Sequence, residues 1–225
     1  MTTRPTKARA ASYKPVDVVN VYLWGKHIGA VALDPTWGYY VFEYTPAFAS
    51  LGLEPAPLQM PVRQGGTFMF TDLPEITFKR LPAMLADTLP DDFGNALIDR
   101  YMADKGLDKS KVSALDRLAY MGNRAMGALE YKPTRSPPRH KPSAIVLSNL
   151  VAQARQAVEG TLVDDNHANA ALRSILDVGT SAGGARAKAV IAWNASTQEI
   201  RAGQLDAPDG FEHWLLKFDG MGRDN

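Results

Sequence analysis

Small residues, a hydroxyl and two lysines near the end of the chain could together bind phosphate. The loop at 179–188 carries the first set: Ser181, Gly183, Gly184, Ala185 and Lys188. Successive backbone N–H groups in such a loop can form an anion-binding nest, because small side chains let a phosphate reach the backbone. The loop has neither the Walker pattern nor the dinucleotide-binding pattern, and a plain loop between a helix and a strand is the alternative.

A second lysine, Lys217, lies within the apolar run 214–218. A strand lysine can contact the α and β phosphates of a nucleotide, as the strand lysine of protein kinases does. The alternative is an edge-strand lysine that faces solvent, which is common. Loop and lysine together, in this order, favour the small lobe of a kinase-like domain.

Strands are predicted in the part of the chain that precedes this site. Alternating apolar residues over 18–42 predict three antiparallel strands with a tight turn at 24–26, and a closing strand is predicted at 127–131. The stretch 51–75 is rich in proline and glycine and predicts loops or short turns.

Short polar residues predict where two helices begin. Asp92 or Asn95 can cap the first helix, and Asp108 or Ser110 can cap the second. The acidic pair 91–92 is interpreted as solvated helix caps.

The composition limits the kind of protein. The 225 residues are 45% apolar, carry a formal net charge of +1 and contain no cysteine. Disulfides and thiolate metal sites are excluded, and none of the four histidines has metal-ligand spacing, so no metal site is predicted. No apolar run is long enough for a membrane helix, and we expect a cytoplasmic protein that does not enter the membrane.

The predicted fold class is α+β, in four parts. Residues 1–17 are predicted to be a disordered basic tail, and 18–132 an antiparallel β-rich subdomain with helices. Residues 133–177 form a proline-rich basic linker with helices, and 178–225 hold the glycine-rich loop and part of a kinase-like nucleotide-binding lobe. Direct DNA binding through the basic residues at 132–141 is disfavoured, because their prolines oppose a recognition helix.

The sequence resembles the HipA-type serine/threonine kinases of bacterial toxin–antitoxin modules over about residues 18–225. The matching segments follow the family's order. They are the opening hairpin at 21–29, the third strand at 42–44, the Leu-Pro-acid segment at 87–91, the helix ending in glycine with its following strand at 118–129, the glycine-rich loop at 179–188 and the lysine strand at 215–220.

The resemblance implies an N-terminal subdomain coupled to a kinase-like core that uses ATP and magnesium. Lys217 matches the lysine that contacts the ATP phosphates, and residues 183–185 with Lys188 belong to the glycine-rich loop. Ser181 matches the serine that the family autophosphorylates as an off-switch. A phosphate there would add about −1.5 to −2 charges and repel ATP. The implied partners are an antitoxin of helix-turn-helix type and a protein substrate.

The chain ends at Asn225, before the C-terminal lobe that carries the family's catalytic and metal-binding residues. We therefore expect a truncated fragment with no catalytic residues of its own, inactive by itself and without tight binding of ATP or magnesium. The alternative is a non-catalytic module that binds an antitoxin or a kinase core.

Overall fold

The computed structural model describes residues 13–63, 65–136, 188–203 and 207–217. These residues form two antiparallel sheets with short helices, so the chain has the predicted α+β fold. The predicted linker helices lie outside the described residues.

Five strands form the first sheet, in the order β4-β3-β2-β1-β5. All the pairings are antiparallel. The predicted three-strand meander is confirmed, and the predicted closing strand pairs with β1. The bounds are β1 Val18–Leu23, β2 Lys26–Leu33, β3 Tyr40–Tyr44, β4 Thr67–Phe68 and β5 Leu129–Lys132.

The tight turn between β1 and β2 uses left-handed backbone at two successive residues. Trp24 and Gly25 have φ angles of 50° and 74°. Positive φ at both central residues matches the twist of a two-residue hairpin turn. Trp24 adopts this conformation and is 71% exposed to solvent.

Short helices connect the strands of the first sheet. Ser113 caps α5, and Asp108 caps the 3-10 helix before it. Asp91 caps α4, one residue before the predicted Asp92. Among the described residues the helices are α1 Pro46–Ala49, α2 Glu75–Phe78, α3 Ala83–Ala86, α4 Asp92–Asp104, the 3-10 helix Lys109–Lys111 and α5 Ala114–Met121.

The core of this N-terminal domain lies between the first sheet and the helices. Val19 and Val21 of β1 are fully buried and alternate with half-buried positions, which is the period of a strand with one covered face. Met102 of α4 and Leu118 of α5 are equally inaccessible and belong to the same apolar cluster.

Residues 13–17, which belong to the predicted tail, lie against α5. The Tyr13 hydroxyl and the Val16 N–H both donate to Oδ1 of Asp116, each over 3.0 Å. Burial, together with the negative charge of Asp116, raises the pKa of Tyr13, so its hydroxyl stays protonated and donates. The N-terminal domain therefore begins before residue 18.

Three strands form the second sheet, in the order β7-β6-β8, and both pairings are antiparallel. Their bounds are β6 Lys188–Asn194, β7 Glu199–Ala202 and β8 Glu212–Lys217. Ala189 and Ile191 of β6 belong to the same buried apolar cluster as the core of the N-terminal domain. The second sheet therefore shares its apolar core with the first.

Candidate phosphate-binding site

The structure describes two lysines of the predicted phosphate site. Lys188 is the first residue of β6, and Lys217 is the last residue of β8. The predicted loop residues lie outside the described part of the chain, and their roles stay predictions: Ser181, Gly183, Gly184 and Ala185.

Lys188 and Lys217 are direct register partners in the pairing of β6 with β8. Directly opposite residues of an antiparallel pair project from the same face of the sheet, with Cβ atoms about 4.5–5.5 Å apart. The fold thus brings together two lysines that the sequence related only by their order. Two cations on one face suit the oxygens of a phosphate or polyphosphate.

The two lysines differ in their surroundings. The Lys188 side chain is only 12% exposed, whereas Lys217 is exposed on the edge strand β8. An exposed edge position is compatible with both interpretations of Lys217, a lysine open to a ligand and a lysine that only faces solvent.

A buried carboxylate of the N-terminal domain approaches Lys188. Oδ2 of Asp91 lies 3.8 Å from Nζ of Lys188, and the Asp91 side chain is 1% exposed. The other oxygen, Oδ1, accepts a hydrogen bond of 2.9 Å from the Gly94 N–H and so caps α4. Oδ2 accepts no hydrogen bond within the described residues. The contact with Lys188 is an ion pair slightly longer than a hydrogen bond.

Burial raises the pKa of Asp91 above its ordinary value of 3.8, and the Gly94 N–H and the Lys188 ammonium offset part of this rise. The interpretation of the acidic pair 91–92 as solvated caps is therefore wrong for Asp91, although Asp92 is exposed. Lys188, at the start of β6 and distant in the sequence, reaches this helix end.

Hydrogen bonds hold the turn that carries Asp91. Oγ1 of Thr88 and the hydroxyl of Tyr131 lie 2.5 Å apart in buried surroundings. Nδ2 of Asn95 donates to the carbonyl of Pro90 over 2.9 Å. The position of the carboxylate is thus set from β5 on one side and from α4 on the other.

Neither a metal cluster nor a membrane helix is found in the described ranges. No three His, Cys, Asp or Glu side chains there lie close enough to hold a metal ion. No helix among the same residues is both long and apolar enough to cross a membrane. The predicted use of magnesium and the predicted partners stay predictions.

The two sheets define an α+β protein with an antiparallel N-terminal domain and a candidate phosphate site on the sheet that follows. A family model described as HipA N-terminal domain matches residues 19–132. This match covers just over half of the chain, and the chain belongs to the HipA family. The matched range runs from β1 to the end of β5, so it coincides with the first sheet and its helices. A search of the curated proteins found no match.

Proposed function

We propose that β6, β8 and the loop before β6 bind the phosphates of ATP, weakly in this chain and as one part of the site of a HipA-type serine/threonine kinase. The observation that carries the proposal is the register pairing of Lys188 with Lys217, in a chain that has the HipA N-terminal domain. Lys217 is accessible to a ligand because it is exposed on an edge strand.

In this proposal Lys217 donates hydrogen bonds to the α and β phosphates, and the backbone N–H groups of 183–185 bind the terminal phosphate. Ser181 is the regulatory phosphosite, because the charge of a phosphoserine in this loop repels ATP. ATP with magnesium supplies the transferable phosphoryl group when it is bound. The proposal assigns phosphate binding to this chain and assigns none of its residues to catalysis.

Titration with trinitrophenyl-ATP, a fluorescent ATP analogue, tests the proposal. Lys217→Met should weaken binding about tenfold or more, because a hydrogen bond to a charged group contributes about 1.5–3 kcal/mol. Lys26→Met is the matched control, since Lys26 is an exposed strand lysine of the first sheet. Equal affinities of the wild type and Lys217→Met would contradict the proposal.

A second candidate function is a non-catalytic module that engages an antitoxin or a kinase core. It is favoured by apolar exposure on β8, where Trp214 is 49% and Leu215 is 44% exposed. Exposed apolar surface often marks an interaction site. Co-purification with a helix-turn-helix antitoxin, lost in Leu215→Lys, would support this function. Absence of a complex at micromolar concentrations would count against it.

A further inference from the structure

The ion pair between Asp91 and Lys188 joins two parts of the chain that are far apart in sequence. Asp91 belongs to the N-terminal domain, where it begins α4, and Lys188 begins β6 of the second sheet. Lys188 is also the last residue of the predicted phosphate-binding loop, 179–188. A contact that fixes Lys188 therefore fixes the start of β6.

Helix capping alone does not explain a carboxylate at position 91. Asparagine caps helices as well as aspartate does, and the capping contact uses only Oδ1. The ionised form is disfavoured by burial, which raises the pKa of Asp91. The second oxygen, Oδ2, is held inside the protein without a hydrogen bond from the described residues and faces the Lys188 ammonium. The negative charge is thus kept for its interaction with Lys188.

The lysine pair places two like charges side by side. Like charges directly opposite each other on neighbouring strands are destabilising, and Lys188 and Lys217 occupy such positions. Asp91 compensates the charge of Lys188 and holds its ammonium near the N-terminal domain. Lys217 then remains as the exposed cation of the pair.

We propose that Asp91 is a positioning residue for nucleotide binding: by holding Lys188 it fixes the start of β6, and with it the exposed register partner Lys217 on β8. This inference rests on the proposed function, since it presupposes that ATP phosphates bind at this strand pair. It adds that the N-terminal domain takes part in ATP binding through one buried carboxylate.

Asp91→Asn is the test variant, because asparagine keeps the helix cap and removes the charge. We expect its affinity for trinitrophenyl-ATP to fall roughly tenfold, while its unfolding midpoint in urea stays unchanged or rises. Lys188→Met should lose a similar factor, and the double variant should lose no more than either single variant. Asp108→Asn is the matched control, because Asp108 is an exposed cap, and its affinity should equal that of the wild type.

The outcomes separate this inference from the proposed function. If the wild type binds the analogue and Asp91→Asn binds it equally well, the positioning role is wrong and the phosphate site stands. Independent, multiplicative losses in the double variant would also overturn the role, because coupling through Lys188 requires non-additivity. If the wild type and Lys217→Met show the same affinity, the proposed function fails and the positioning role fails with it.

Discussion

Asp116 is a fully buried carboxylate surrounded by hydrogen-bond donors. Tyr13 and Val16 donate to its Oδ1, and the N–H and hydroxyl of Ser113 donate to its Oδ2 over 2.9 and 2.8 Å. Because a backbone N–H donates to each of the two oxygens, the site suits a side chain with two acceptor oxygens. Asp116 thereby ties the residues before β1 to the start of α5.

We expect Asp116→Asn to lower the free energy of unfolding by about 2–4 kcal/mol, because its amide NH₂ would face donors and leave them without an acceptor. Urea denaturation measures the change. Asp108→Asn, at an exposed cap, should leave the midpoint unchanged. A loss below about 0.5 kcal/mol for Asp116→Asn, the usual range of surface substitutions, would contradict this prediction.

Thr88 and Tyr131 allow a prediction about the direction of a hydrogen bond. Oγ1 of Thr88 donates to the carbonyl of Leu85 over 2.7 Å, so the hydroxyl of Tyr131 donates to Thr88. Burial raises the pKa of Tyr131, which keeps this donor protonated. Tyr131→Phe should cost about 1 kcal/mol, and Thr88→Val more, because it leaves a buried hydroxyl without an acceptor. Chemical denaturation of both variants decides the order, and the reverse order would show that the donor is assigned wrongly.

At the scale of elements, β2 and β3 approach each other closely at Gly29. A Cβ atom at this position would lie 2.3 Å from the carbonyl oxygen of Glu43 and 2.5 Å from the ring of Phe42. Backbone on one side and a fully buried ring on the other cannot easily move. The spacing of the two strands therefore depends on the missing side chain.

Gly29→Ala should destabilise the N-terminal domain by about 1–3 kcal/mol through this overpacking. The thermal unfolding midpoint is the measurement. Ala30→Val provides the control, because Ala30 is the next residue of β2, is half-buried and alternates to the other face of the strand. Equal stability of Gly29→Ala and the wild type would show that the strands separate at little cost.

Elements that are determined by residues close together in the sequence could be predicted. The alternation of Val19, Val21 and Leu23 and the turn at 24–26 predicted the first hairpin correctly. The pairing of β5 with β1 could not be predicted, because register between distant strands depends on the whole sheet. The contact of Asp91 with Lys188 was missed for the same reason: the two residues meet only in the folded chain, and local sequence contains no sign of that contact.

At the scale of the whole molecule, the two sheets meet through apolar residues and through the ion pair of Asp91 with Lys188. The raised pKa of Asp91 determines the direction in which stability changes with pH. A carboxyl whose pKa is higher in the folded state adds stability below its unfolded pKa, and this stability is lost as the pH rises through the folded value. The charge at Asp91 therefore lowers fold stability at neutral pH.

The free energy of unfolding of Asp91→Asn should exceed that of the wild type at pH 7, and the difference should shrink as the pH falls toward 4. Urea titrations of both proteins across this range measure the difference. The opposite result would be a wild type with the higher free energy of unfolding at pH 7 and a difference that disappears on acidification. It would mean that the ion pair with Lys188 outweighs the cost of burial.

Trp193 and Trp214 meet edge to face across β6 and β8, with ring centroids 5.7 Å apart and an interplanar angle of 75°. Two indoles this close exchange excitation energy, so their ultraviolet circular dichroism and emission depend on how the strands pair. The other tryptophans, Trp24 and Trp37, are 71% and 65% exposed on turns of the first sheet. With both replaced by phenylalanine, the remaining tryptophan fluorescence comes from the strands that carry Lys188 and Lys217. It then reports changes in the pairing of that sheet.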